Sequence, residues 1–161
     1  MKYETLHEDL EEAFPELKPC IEILKSEWAP DLPGQYIFYE DLFGRFIVRL
    51  LVADPSHNRN VALDRAFRHI DELLLDGEVE IGNLGFVAML EGHPGWWYAR
   101  AKSFLSDKAE AALYAWWPDW SKHIDPTVVE LDLSYDPYRL QQVVDSLLSA
   151  PSAKPPKKAL R

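Results

Sequence analysis

Apolar side chains that recur at three- and four-residue steps constrain this chain more than any other feature of its sequence. The clearest run lies between residues 35 and 53, where charged side chains fill the intervening positions. Its apolar members are Tyr39, Leu42, Phe43, Phe46, Ile47, Leu50 and Leu51. Because this spacing places the apolar side chains on one side of a helix, it predicts an amphipathic α-helix.

Helical spacing continues on both sides of this run, and proline and glycine separate the segments. The sequence Thr5-Leu6-His7-Glu8 matches a capping box, in which the Thr5 hydroxyl would cap a backbone amide at the start of a first helix. Pro15 divides that helix from a second one. Asp136 is the predicted N-cap of the last helix. The helices between them are predicted near residues 58–74, 79–91, 96–104 and 108–117.

These segments predict an all-α fold. With 161 residues, 47% of them apolar, the chain has the length of one domain. We expect an irregular helical bundle or a short helix-hairpin superhelix of about seven to eight helices over residues 1–150, followed by a disordered, basic tail over residues 151–161. Residues 127–133 alternate apolar and polar side chains, which is compatible with a strand or with an extended segment packed on the helices.

Charge separates the body of the chain from its last eleven residues. The formal net charge is −10, but residues 151–161 hold four basic and no acidic side chains, which leaves a charge of −14 on the rest. Such a body repels phosphate backbones, so we expect no nucleic-acid partner. The acidity either attracts a basic protein or serves solubility.

The sequence also predicts a soluble, cytoplasmic protein. The first eight residues are acidic and lack the apolar core of a signal peptide. No apolar run approaches the roughly 18 residues that a membrane span requires, so no membrane association is expected. Cys20 is the only cysteine, and its apolar helical neighbourhood favours a buried, reduced thiol. The oligomeric state stays open.

No motif in the chain specifies a reaction. A phosphate-binding loop, a dinucleotide fingerprint and a nucleophile elbow are all absent from the sequence. Three histidines lie close to carboxylates, but none of the pairs has the spacing of a metal-binding motif. These pairs are His69 with Glu72, His93 with Glu91, and His123 with Asp119. We therefore expect no metal, no cofactor and no catalytic residues, and His69 is interpreted as part of a solvated helix face.

Aromatic side chains are concentrated in the second half of the chain. Five of the six tryptophans lie within 25 residues: Trp96, Trp97, Trp116, Trp117 and Trp120. Adjacent residues on a helix point about 100° apart, so both members of a tryptophan pair rarely fit one core. Either one tryptophan of each pair faces solvent or a partner, or neighbouring helices cover both.

The stretch Gly82-Asn83-Leu84-Gly85-Phe86-Val87-Ala88-Met89-Leu90-Glu91 resembles a helix in a family of small bacterial helical proteins. Some members of that family are immunity proteins of polymorphic toxin systems. The resemblance extends over residues 35–91. It implies an all-helical fold and a protein partner, and it brings no catalytic residues.

These observations favour a non-enzymatic immunity protein that binds a basic toxin through an acidic, aromatic surface. The expected contact residues are Asp76, Glu78, Glu80, Glu91, His93, Trp96 and Trp97. A second acidic surface contains Glu8, Glu11 and Glu12. The alternatives are an adaptor subunit, or a small-molecule enzyme or sensor whose pocket contains Tyr114, Trp116 and Trp117 with Glu91 or His93 as the polar group.

Overall fold

The computed structural model describes residues 1–127 and 131–151, and within these residues the regular structure is entirely helical. Eight α-helices are present there: α1 (Leu6–Ala13), α2 (Lys18–Trp28), α3 (Arg45–Val52), α4 (His57–Leu75), α5 (Val79–Val87), α6 (Gly95–Ala101), α7 (Asp107–Trp116) and α8 (Leu140–Ser149). Short 3-10 turns cover Tyr3–Thr5, Pro15–Leu17 and Trp120–His123. The predicted all-α class and the number of helices are confirmed. Beyond Pro151, the predicted tail lies outside the described residues.

The helix predicted over residues 35–53 is not a regular α-helix. Its first part, Ile37–Gly44, is a π-helix that runs directly into α3. Its buried side chains come in pairs every four residues: Phe38, Tyr39, Leu42, Phe43, Phe46, Ile47, Leu50 and Leu51. Four residues turn an ideal α-helix about 40° past a full circle, so a strict four-residue repeat drifts away from the core. The wider π turns reduce this drift and keep both members of each pair inside.

Two arginines close the C-terminal end of α3. Arg59 on α4 donates hydrogen bonds to the carbonyls of Leu50 and Leu51, at 2.8 and 3.3 Å. Arg100 on α6 donates to the carbonyl of Leu51 at 2.8 Å. The last carbonyls of a helix have no partner inside the helix, and cations are favoured at that end. These contacts therefore hold α4 and α6 against α3.

Serine side chains cap the starts of two helices. The Ser56 and Ser106 hydroxyls accept hydrogen bonds from amides in the first turns of α4 and α7, at 3.2 and 3.1 Å. The capping box at Thr5 is wrong, because the Thr5 side chain makes no cap hydrogen bond and its hydroxyl donates to the carbonyl of Lys2. A preceding 3-10 turn leads into α1, so the start of this helix does not depend on the threonine side chain.

Asp136 caps the last helix, but the helix begins later than predicted. Its carboxylate accepts hydrogen bonds from the amides of Leu140 and Gln141, both at 2.8 Å. Between Asp136 and Leu140, Arg139 has φ 59° and ψ 34°, in the left-handed region. That conformation cannot continue a right-handed helix, so α8 begins at Leu140 and the carboxylate reaches it across a turn.

The segment before Asp136 is held on α3 by a buried arginine. Arg49 donates to the carbonyls of Leu133 and Tyr135, at 3.2 and 3.4 Å, and lies 3.5 Å from the Asp136 carboxylate. The possible strand at residues 127–133 falls partly on residues 128–130, which lie outside the described residues. No strand is assigned at position 127 or at 131–133. Residues 131–133 have no regular structure, and the contact of Arg49 with Leu133 is compatible with the alternative of a segment packed on the helices.

His69 lies in the core, so its placement on a solvated face is wrong. Its ring is 3% exposed, and Nε2 lies 3.0 Å from the Tyr39 hydroxyl. The same hydroxyl donates to the carbonyl of Leu6 at 3.0 Å. Burial lowers the pKa of His69, and the nearby Glu72 carboxylate opposes this shift. Helix α4 packs against α3, α5, α7 and α8, so few of its sides remain in solvent despite its many charged residues.

Candidate functional site

The predicted acidic contact residues lie at the turn between α4 and α5, in the first turn of α5, and in the turn that follows α5. Glu78, Glu80 and Glu91 are exposed. Asp76 is only partly exposed, and its carboxylate accepts a hydrogen bond from the Glu78 amide at 3.0 Å. This hydrogen bond, together with the Met1 amino group 3.3 Å away, lowers the pKa of Asp76. Asp76 therefore shapes the turn, while the three glutamates remain available to a partner.

Trp96 and Trp97 are both buried, which makes their expected role as exposed anchors wrong. They are 2% and 1% exposed. The Trp97 ring stacks on His93 with centroids 4.0 Å apart and also contacts Phe67 and Tyr98. Helix α6 is surrounded by other elements, so neighbours cover both side chains despite their divergent directions. Burial of both members of a pair by neighbouring helices is the second of the two alternatives that the sequence left open.

His93 has a structural role beside this cluster. Its Nε2 lies 3.0 Å from the carbonyl of Met89, and a carbonyl can only accept, so Nε2 carries a proton and donates it. Burial lowers the pKa of His93 to about 4, against the weaker opposing effect of this hydrogen bond. The ring is therefore neutral at pH 7 and supplies no charge to an interface.

The second tryptophan pair has the exposed member that the first lacks. Trp116, at the end of α7, is 63% exposed, and Tyr114 on the same helix is 49% exposed. Trp117 is partly buried and lies against His123 with ring centroids 4.6 Å apart, while Trp120 is 1% exposed. The loop after α7 turns Trp117 and Trp120 inward, and it leaves Trp116 outside.

Trp116 packs against α5, whose last residues lead into the turn that contains Glu91. Its ring stacks on the buried Phe86 ring with centroids 5.1 Å apart. The backbone carbonyl of Phe86 accepts a hydrogen bond from the Glu91 amide at 2.9 Å. The Trp116 ring is thus supported by α5, while most of its surface remains in solvent. Val87, 43% exposed, adjoins Phe86 on the same helix.

We call this region the α5–α7 surface, and define it by Glu78, Glu80, Val87, Glu91 and Trp116. Its two helices are fixed by tight packing on α4. A Cβ atom added to Gly85 would lie 2.8 Å from the Cβ of Leu73, so α5 approaches α4 more closely than a larger residue permits. Helix α5 is therefore held closely against α4.

The second acidic surface differs, because lysines neutralise part of its charge. Glu11 lies 2.7 Å from Lys18 Nζ and 3.7 Å from Lys25 Nζ. The hydrogen bond from Lys18 lowers the pKa of Glu11. Glu8 and Glu12 are exposed on the same helix. The predicted members of this second surface are all carboxylates, which would attract a basic partner. None of them is a large exposed aromatic residue that would anchor it.

A groove of about 780 Å³ lies between α2, α4 and α8. Its apolar lining consists of Pro19, Ile23, Val61, Ala62, Val143 and Leu147. Cys20 lies at its base, 1% exposed, and burial raises the pKa of the thiol to about 11, in agreement with the expected inert thiol. The polar lining includes Arg65 and Arg139. Periodicity did not reveal this groove, because the same apolar residues could have packed completely against each other.

None of the groove-lining residues belongs to the tryptophan cluster that was predicted to surround a pocket. Trp116 and Tyr114 project from α7 instead, and His93 is packed on Trp97. Within residues 1–127 and 131–151, no group of three or more His, Cys, Asp or Glu side chains is placed to hold a metal ion. No helix in these residues is long and apolar enough to cross a membrane.

No known protein family, curated protein or solved structure matches the chain. The candidate sites are therefore argued from the geometry of the chain itself.

Proposed function

We propose that this chain is an immunity protein, which binds and neutralises a basic bacterial toxin through the α5–α7 surface. The observation that carries the proposal is Trp116, a large aromatic side chain that is 63% exposed while stacked on Phe86. An exposed tryptophan does not gain the hydrophobic free energy that its burial would provide, and tryptophan is among the commonest anchors of protein interfaces. Its support by Phe86 limits the conformational freedom that it would lose on binding.

The charge of the chain supports a basic partner. The net charge is −10, and Glu78, Glu80 and Glu91 are exposed. Carboxylates at the edge of an interface attract a basic partner over a distance and raise the association rate. The tryptophan supplies the apolar contact that electrostatic attraction alone lacks. Asp76, His93, Trp96 and Trp97 are left out of the contact set, because each is occupied within the fold.

The first experiment is co-expression with the product of each adjacent gene, scored by growth and then by co-purification. The proposal expects a toxic neighbour whose toxicity this chain relieves and whose product forms a stable complex with it. In that complex, Trp116→Ala should raise the dissociation constant about 30-fold, the equivalent of about 2 kcal/mol for an interface anchor. The double variant Glu78→Lys/Glu80→Lys should slow association at least about tenfold at low salt.

A matched control is available on the second acidic surface. Glu8→Lys/Glu12→Lys changes the net charge by the same amount, and both positions are exposed on α1. It should slow association much less than the Glu78/Glu80 variant. Equal effects of the two charge reversals, together with normal affinity of Trp116→Ala, would place the interface elsewhere. A constitutive complex with a harmless neighbour would contradict the immunity function and favour an adaptor subunit.

A further inference from the structure

The groove between α2, α4 and α8, which we call the α8 groove, lies apart from the α5–α7 surface and has a different character. Its volume of about 780 Å³ falls within the range of roughly 300–1,000 Å³ that is typical of small-molecule sites. Val61, on the α4 wall, is an apolar side chain that is 52% exposed. The groove therefore leaves apolar surface in water that a ligand of modest size would cover.

The polar groups at the α8 groove differ in how far the fold already uses them. Arg65 forms an ion pair with Glu16, and its guanidinium lies 4.6 Å from the centre of the Phe14 ring. Asn58 donates to the last carbonyls of α8, including that of Ala150 at 2.7 Å. The guanidinium of Arg139, by contrast, has no hydrogen bond or ion pair to any residue that the structure describes.

Arg139 occupies a conformation that the surrounding structure imposes. It is the one residue other than glycine with positive φ in the described ranges, at φ 59°. Its amide donates to the carbonyl of Asp136 at 3.2 Å, and the Asp136 carboxylate is held by Arg49 and by two amides of α8. A left-handed arginine is less favourable than glycine or asparagine at the same place. Strained residues of this kind are concentrated at functional sites.

The charge of the lining selects the class of ligand. Arg65 and Arg139 face one acidic lining residue, Glu16, and Glu16 is already paired with Arg65. The α8 groove thus carries a surplus positive charge in a protein whose net charge is −10. We propose that the α8 groove binds a small amphipathic anion, an apolar chain or ring that ends in one carboxylate or sulfonate. The apolar part lies on Val61, Ile23 and Leu147, and the anionic end pairs with Arg139.

The proposal is tested on the isolated full chain with one fluorescent dye and two competing compounds. Anilinonaphthalene sulfonate, an aromatic anion that fluoresces in apolar surroundings, should bind, and decanoate should displace it. Decanol, which has the same chain length without the charge, should displace it at least tenfold less well. Arg139→Asn, which tolerates the left-handed conformation, should weaken decanoate at least fivefold and leave decanol unchanged. Failure of decanoate to displace the dye, or equal displacement by decanoate and decanol, would overturn the proposal.

A matched pair of exposed residues on α4 locates the site. Val61→Glu places a carboxylate in the α8 groove, whereas Leu75→Glu makes the same kind of change at the far end of α4, where Leu75 is 56% exposed. We expect Val61→Glu to weaken the dye and decanoate at least tenfold and Leu75→Glu to change them less than twofold. Equal effects would show binding outside the groove. This test needs no toxin, so its result is independent of the proposed immunity function.

Discussion

The two tryptophan pairs permit a direct comparison between a buried and an exposed aromatic side chain. Trp97 is 1% exposed and contacts three rings, of which His93 is closest at 4.0 Å. Trp97→Ala removes these contacts and leaves a cavity, and such substitutions cost about 3–5 kcal/mol. Trp116 is 63% exposed and stacks on Phe86 alone among the described rings. Its replacement by alanine should cost about 1 kcal/mol, the size of one aromatic contact.

Urea unfolding followed by far-UV circular dichroism measures both variants, because this signal reports the helices and not the tryptophans themselves. A domain of this kind has a free energy of unfolding of about 5–15 kcal/mol. With a urea dependence of about 2 kcal/mol per molar, Trp97→Ala should lower the midpoint by about 2 M, and Trp116→Ala by about 0.5 M. If Trp116→Ala were as destabilising as Trp97→Ala, Trp116 would belong to the core and the α5–α7 surface would lose its anchor.

Four other substitutions test the fold in the same assay. Arg49→Met should lower the free energy of unfolding by about 3 kcal/mol, because it leaves two carbonyls and a carboxylate without their cation. A loss below about 1 kcal/mol would show that water satisfies these groups. Gly85→Ala should lower the free energy of unfolding by about 1–3 kcal/mol through its contact with Leu73. Gly82→Ala, on the same helix with open space around it, should be neutral or stabilising. The reverse order would contradict the close approach of α4 and α5. The folded pKa of His93, about 4, lies below its ordinary value of 6.5, so its contribution to stability is complete above pH 6.5 and is lost as the pH falls toward 4. Between pH 7 and 4.5 that loss is about 2–3 kcal/mol, and His93→Gln should remove it; parallel pH profiles for the two proteins would refute the assignment.

Periodicity predicted the helices well because it depends on local geometry. The break at Pro15, the cap at Asp136 and the buried side of α3 all follow from side chains within a few residues of each other. The π-helix was missed, although its signal is present in the sequence. Apolar pairs that recur at strict four-residue steps indicate turns wider than those of an α-helix.

The candidate site was predictable only in part. Exposure of Glu78, Glu80 and Glu91 follows from their charge, because isolated carboxylates avoid burial. Which tryptophans are buried and which are exposed did not follow from the sequence, since adjacent side chains on a helix point in different directions whatever surrounds them. Trp97 is buried because rings from other parts of the chain cover it, whereas Trp116 is covered by Phe86 alone among the described rings.

The sequence by itself therefore determined the class of fold, the approximate position of each helix and the acidic character of the surface. These properties depend on residues that are near one another along the chain. Only the tertiary structure decided that His69 is buried, that Trp116 is the exposed anchor, and that a groove remains beside α8. Those outcomes depend on which helices meet, and contacts between helices distant in sequence are set by the packing of whole faces.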